Sequence, residues 1–87
     1  MVDHPAEVVQ VVSETFRLDP AGIERDALLE ELGIDSKGRI KLLSALEIYY
    51  DVTIDLDQLD RFTDIRSVSE VLAEALGGKA GGSDERL

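Results

Sequence analysis

Apolar residues at helical spacing constrain the fold of this chain more than any other feature. In Ala6–Arg17, Val8, Val9, Val12 and Phe16 fall on one side of a helix, with Glu7, Gln10 and Glu14 between them. In Ser36–Tyr50, Ile40, Leu42, Leu43, Leu46, Tyr49 and Tyr50 form a wide apolar face. Val68, Val71, Leu72, Ala75 and Leu76 make a third stripe. Strand-like alternation is confined to Val52, Ile54 and Leu56. A lone strand has no partner to pair with, so that stretch reads as an extended linker. Asp57 to Phe62 fits a short helical turn with Leu59 and Phe62 facing inward. The pattern predicts an all-α fold, a four-helix bundle of three longer helices and one short helix, with a long loop between the first and second helices.

Local signals place the ends. Asp3 or His4 can cap the first helix, with Pro5 in its first turn, where a missing N–H costs little. Asp35 and Ser36 are both good caps for the second. Ser67-Val68-Ser69-Glu70 matches a capping box for the last, and Gly77 and Gly78 end it. The loop Leu18–Asp35 carries turn signals at Asp19-Pro20 and Gly22, and Leu18, Ile23, Leu28, Leu29, Leu32 and Ile34 pin it to a core. A helical turn is expected near Leu28–Glu31. A connection this long is usually functional. Residues 1–76 are expected to form the domain, and 77–87, GGKAGGSDERL, a flexible tail.

Composition removes whole classes of function. At 87 residues the chain is one domain. Nineteen acids against nine bases give a net charge of −10, which argues against nucleic-acid phosphates and anionic membrane faces. With no Cys there is neither a disulfide framework nor a thiolate metal site, and a single His leaves no metal or acid–base cluster. No apolar run approaches the roughly 20 residues of a membrane span, and Met1-Val2-Asp3-His4-Pro5 lacks the start of a signal peptide. Asp51, Thr53, Asp55 and Asp57 have calcium-loop spacing, but Leu56 stands at the required Gly and Phe62 at the required Glu, so solvated linker acids are the better account. Tyr49 and Tyr50 read as core and rim, and His4 as a helix-start residue.

The candidate chemistry lies in Leu32-Gly33-Ile34-Asp35-Ser36. Ser36 stands where a loop meets a helix N-terminus. Its hydroxyl should be exposed, and the helix dipole there favours a negative group such as a phosphate ester. Asp35 places a carboxylate beside it, and Gly33 lets the chain turn sharply. No His or Lys is placed to activate Ser36 as a nucleophile, so the site looks modified rather than catalytic. The bland alternative is that Ser36 is only an N-cap.

LGIDS followed by Ile40, Leu42, Leu43 and Ala45-Leu46-Glu47, then Tyr50-Asp51-Val52-Thr53-Ile54 and Ser67-Val68, resembles the acyl carrier protein family over roughly Val8 to Leu76. The resemblance implies that Ser36 carries 4′-phosphopantetheine through a phosphodiester, with an acyl or aminoacyl thioester on the arm's thiol. An imported thiol would also account for the absence of Cys. A phosphopantetheinyl transferase would install the arm from coenzyme A with Mg²⁺, helped by Asp35. A loading enzyme and a downstream synthase or transferase would be the other partners. The domain itself would catalyse nothing and would act by positioning and effective concentration. Ile40, Leu43, Leu46, Ile54, Ile65 and Val68 are the expected lining for a cargo folded into the bundle, although core packing alone demands the same residue types.

The chain departs from the family pattern in two places. Lys37 stands where Leu commonly follows the Ser, and Lys37, Arg39 and Lys41 face a single acid, Glu47, on a helix that is often acidic in the family. Ser36–Tyr50 thus carries +2 within a chain of −10. Lys37, Arg39, Lys41 and Glu47 are the expected partner-binding residues. The basic helix points to dedicated partner enzymes and to secondary metabolism (polyketide or nonribosomal peptide) rather than fatty-acid synthesis. Gly38 makes the stretch similar to D-alanyl and some aminoacyl carriers, or else is a tolerated glycine in a frayed turn. The reading is a discrete, monomeric, cytoplasmic carrier that binds neither nucleic acid, membrane nor metal. Its rival is an unmodified carrier-like interaction module.

Overall fold

The computed structural model describes residues 4–84, with side chains over residues 4–77. Three α-helices are present, α1 (His4–Phe16), α2 (Ser36–Tyr50) and α3 (Ile65–Asp84). Short 3-10 turns lie at Pro20–Gly22 and Glu30–Leu32, and a longer 3-10 segment at Leu56–Arg61 supplies the short fourth helix. The all-α bundle is as expected, and no strand occurs among the described residues. One isolated antiparallel bridge joins Leu28 to Asp64. In it Leu29 N–H donates to Thr63 O and Ile65 N–H to Ala27 O, both at 2.9 Å, which ties the long loop to the start of α3.

The three α-helices share the core. Val8, Val11 and Val12 come from α1, Leu42, Leu43 and Leu46 from α2, and Ile65, Val68, Val71 and Leu72 from α3. The buried side of α1 is rotated from the predicted one: Val11 is buried, whereas Val9 and Phe16 only pack against the core. Ile23, Leu29 and Ile34 pin the long loop, and Phe62 is the largest fully buried side chain.

Helix ends explain where the chain turns. Both α1 and α2 close on a non-glycine residue in the left-handed region, Arg17 at φ 56 and Asp51 at φ 52. In each case the next N–H reaches back five residues, Leu18 to Ser13 O and Val52 to Glu47 O, which satisfies carbonyls the helix leaves open. His4 lies inside α1, and Asp3 is outside the described residues. The capping box expected at Ser67 is displaced. Helix α3 begins three residues earlier than a Ser67 cap implies, at Ile65, and the Asp64 carboxylate accepts the Ser67 N–H at 2.7 Å. The helix end expected at Gly77-Gly78 is also corrected, since α3 continues to Asp84. Gly33 is the only described glycine with positive φ, so Gly77 does not form the left-handed turn that stops a helix.

Val52 and Ile54 are buried while Thr53 and Asp55 are exposed, so the alternation reflects one-sided burial of an extended linker. The Ile54 N–H, which a strand would pair with a neighbour, instead donates to Glu47 Oε2 at 2.8 Å.

Candidate functional site

The turn into α2 is built by three residues that leave a fourth unused. Gly33 takes φ 82 at the end of the Glu30–Leu32 turn, a conformation that strains any side chain. Ile34 then drops into the core, 2% exposed. Asp35 is extended, and its Oδ1 accepts the Gly38 N–H at 2.9 Å while its carbonyl accepts the Arg39 N–H. This is an N-cap. Ser36 therefore occupies the first helical position and not the cap. It is exposed, and among the described residues its hydroxyl makes no hydrogen bond. The bland account of Ser36 as a cap is thereby answered, because Asp35 does that work.

Gly38 has a packing reason. A Cβ there would lie 2.8 Å from Ile34 Cγ2 and 3.4 Å from Phe16 Cε1. The first turn of α2 presses against the end of α1 and the loop, so the backbone needs a residue without a side chain. Neither a frayed turn nor a preference for aminoacyl cargo is required to explain it.

The basic residues separate into two kinds. Lys37 and Lys41 are exposed, and Lys41 Nζ stands 5.7 Å from the centroid of the Phe16 ring, a cation–π contact. Arg39 differs. It is half-buried, with Nε enclosed and unpartnered. Glu47 is half-buried too, with its carboxylate committed to the Ile54 N–H. Sequence spacing gives no sign of that contact, because it joins a helix to an irregular segment seven residues on.

Of the expected lining residues, Leu43, Leu46, Ile65 and Val68 are packed together in the core. Ile40 lies outside it, 48% exposed. Ile54 borders a cleft of about 180 Å³ between Thr53–Gln58 and Val71, Glu74 and Ala75 of α3. Beside this cleft Arg61 grips Glu74 through two hydrogen bonds, at 2.7 and 2.8 Å, and donates to Gln58 Oε1. The hydrogen bonds from Arg61 hold the Glu74 carboxyl below its ordinary value, and the same pair raises Arg61. Burial, and secondarily the charge of Glu7, raises the Tyr50 phenol. Sequence reading missed the Arg61–Glu74 pair, whose partners lie 13 residues apart. Among the described residues no group of three or more His, Cys, Asp or Glu could hold a metal ion, and no helix is long and apolar enough to cross a membrane.

Comparison with known proteins agrees with this geometry. A family model described as the phosphopantetheine attachment site matches residues 6–72. The chain is 29% identical over 83 residues to an acyl carrier protein of Streptomyces coelicolor, covering 95% of this chain and 89% of that one. It is 33% identical over 76 residues to the citrinin polyketide synthase of Monascus ruber, covering 87% of this chain but only 3% of that enzyme. A chain in the solved structure of the ishigamide ketosynthase/chain length factor superposes with a TM-score of 0.69 at 28% identity, covering 88% of this chain and 99% of that one. With a matching bundle, an exposed serine at the mouth of its second helix and a family match across most of its length, the chain belongs to the acyl carrier proteins, which are built around the attachment of 4′-phosphopantetheine.

Proposed function

We propose that Ser36 is the attachment residue and that this carrier presents a thioester-bound acyl group to polyketide-type enzymes. The observation that carries the reading is the division of labour at the start of α2: Asp35 caps the helix, which leaves the Ser36 hydroxyl exposed and unengaged. The residues fit the group. A phosphodiester at Ser36 would meet solvent on one side and a helix N-terminus on the other. When bound, the arm supplies the thiol that this Cys-free chain lacks. The protein's own part is to hold the attachment point rigid, and Asp35 keeps a carboxylate beside it for the transferase. The domain turns over no substrate itself and acts by presenting its cargo to other enzymes.

The polyketide assignment is supported by the synthase relatives. Lys37 and Lys41 are the exposed cations that a dedicated partner would read with acids. Leu43, Leu46, Ile54, Ile65 and Val68, with exposed Ile40 outside the core, would supply apolar lining to a cargo that parts the packed bundle. Residues 1–76 are the carrier unit, and the protein works as a cytoplasmic monomer.

The test is intact mass after incubation with coenzyme A, Mg²⁺ and a broad-specificity phosphopantetheinyl transferase. The parent should gain one phosphopantetheinyl group and Ser36→Ala none. The Lys37→Glu/Lys41→Glu variant in the same assay should load at a changed rate. Loading of Ser36→Ala, or none of the parent with several transferases, would refute the assignment and favour an unmodified interaction module.

A further inference from the structure

Arg39 is the residue of α2 whose buried polar atom finds no partner among the described residues. It lies three residues before Leu42 and four before Leu43, so it shares their core-facing side. A guanidinium thus occupies a position that the helix pattern gives to an apolar side chain, at the end of the stripe nearest Ser36. Its Nε is enclosed without a hydrogen-bond partner, alone in this among the buried side-chain polar atoms of the described residues. The other cations nearby are accounted for. Lys41 lies over Phe16, and Lys37 is exposed. Asp35, the nearest carboxylate in sequence, has one oxygen committed to the Gly38 N–H. A buried donor left unmade costs free energy, so a helix that retains one is short of an acceptor.

We propose that Arg39 is a positioning residue for the arm: its guanidinium pairs with the phosphodiester carried by Ser36 and so restrains the arm against α2. The inference rests on Ser36 as the attachment residue. Residues three apart on a helix are surface neighbours, with Cβ atoms about 5–6 Å apart. Helical side chains lean toward the N-terminus, so Arg39 leans over the turn that holds Ser36. Arginine is suited to the task, because its planar fork matches phosphate oxygens in charge-assisted pairs. Lys37 and Lys41, one and five residues from Ser36, do not share its side of the helix in this way. A restrained arm samples a smaller volume, which raises the effective concentration of its thiol near the carrier's docking face.

The experiment compares the unmodified and arm-bearing forms of the parent, Arg39→Gln, Arg39→Met and Arg39→Lys, after intact mass has verified loading. In the ¹⁵N-labelled parent the Arg39 Nε–Hε resonance should move and exchange more slowly with water once the arm is attached. The arm-bearing parent should melt above its unmodified form by about 1–8 °C, the span of a partly exposed ion pair in a domain of this size, and the difference should vanish in Arg39→Gln and Arg39→Met. Arg39→Lys should keep part of the difference. Unmodified Arg39→Met should melt no lower than the unmodified parent, since it removes an unpartnered buried donor. Normal loading with a silent Arg39 resonance and an unchanged melting difference would overturn the inference while leaving Ser36 in place. A large loss in unmodified Arg39→Met would overturn it by showing a structural role. A response that first appears when an acetoacetyl group is loaded would overturn it in favour of a cargo carbonyl. No loading at Ser36 would overturn both.

Discussion

Replacing Asp35 and Ser36 one at a time separates the cap from the proposed attachment point. Asp35 Oδ1 accepts the Gly38 N–H at 2.9 Å, a contact on an exposed helix start. Losing such a cap costs about 0.5–2 kcal/mol, centred near 1. Asp35→Ala also removes a carboxylate from the positive end of the helix, a further ~0.3–1 kcal/mol. Asp35→Asn keeps the acceptor and loses only the charge. In a domain of this size each kcal/mol lowers the melting temperature by about 4–8 °C. Thermal unfolding followed by circular dichroism should therefore rank the variants. Asp35→Ala should fall furthest and Asp35→Asn less. Ser36→Ala should lie within about 0.5 kcal/mol of the parent, because among the described residues the Ser36 hydroxyl makes no hydrogen bond and alanine is the better helix former. Loading by a phosphopantetheinyl transferase should order them differently. Ser36→Ala is stable and inert, whereas Asp35→Asn is nearly stable and loads slowly. If Ser36→Ala cost as much stability as Asp35→Ala, Ser36 would be a cap, and the reasoning from its free hydroxyl would fail.

Two further perturbations test the frame around the site. Gly38→Ala gains about 1 kcal/mol of helix propensity but forces a Cβ to within 2.8 Å of Ile34 Cγ2, an overpacking that costs about 1–3 kcal/mol. The net loss should shrink when Ile34→Val is added, and chemical denaturation of the two single variants and the double variant would show that coupling or its absence. The Arg61–Glu74 pair sets an acid limb. Glu74 is held below its ordinary value of 4.5, so the pair's stabilisation is present above that pH and is lost as pH falls through the lowered value. Glu74→Gln should lower the melting temperature slightly near neutral pH and should converge with the parent in acid. A constant gap down to the lowest pH would show that the charge is not the source.

The sequence disclosed what depends on period and local turn chemistry. Leu42, Leu43 and Leu46 repeat at helical spacing, and burying them together needs only that α2 meet α1 and α3. The Asp35-Ser36 junction was legible because capping residues are few. It was legible only as an either-or, since both can cap and the choice between them turns on one hydrogen bond. The ends of the last helix were misplaced for related reasons. Asp64 competes with Ser67 for the same role and wins because the Leu28–Asp64 bridge fixes the chain just before Ile65. Gly77 stops a helix only if it turns left-handed, and composition does not report φ. Glu47 and the Arg61–Glu74 pair could not be read at all. Their partners lie in irregular segments or a helix away, and no period links them.

The site's residues are of two kinds, and the difference bears on which substitutions are informative. Gly33, Ile34, Asp35 and Gly38 are fixed by backbone angle, burial, capping and close approach, so changing them alters the fold of the junction before it alters chemistry. The Ser36 hydroxyl and the exposed Lys37 side chain hold up no part of that junction, the Arg39 Nε finds no partner in it, and Lys41 meets it only over the Phe16 ring. A small helical domain with a stability of only about 5–15 kcal/mol has little reason to leave a guanidinium nitrogen buried and unpartnered on its core-facing stripe, or a hydroxyl unengaged at a helix mouth, if folding were their only constraint. The two lie three residues apart, in the first turn of α2. Residues that packing does not require are where selection for function has room to act, and Ser36, Lys37 and the Arg39 guanidinium fall within the first turn of α2.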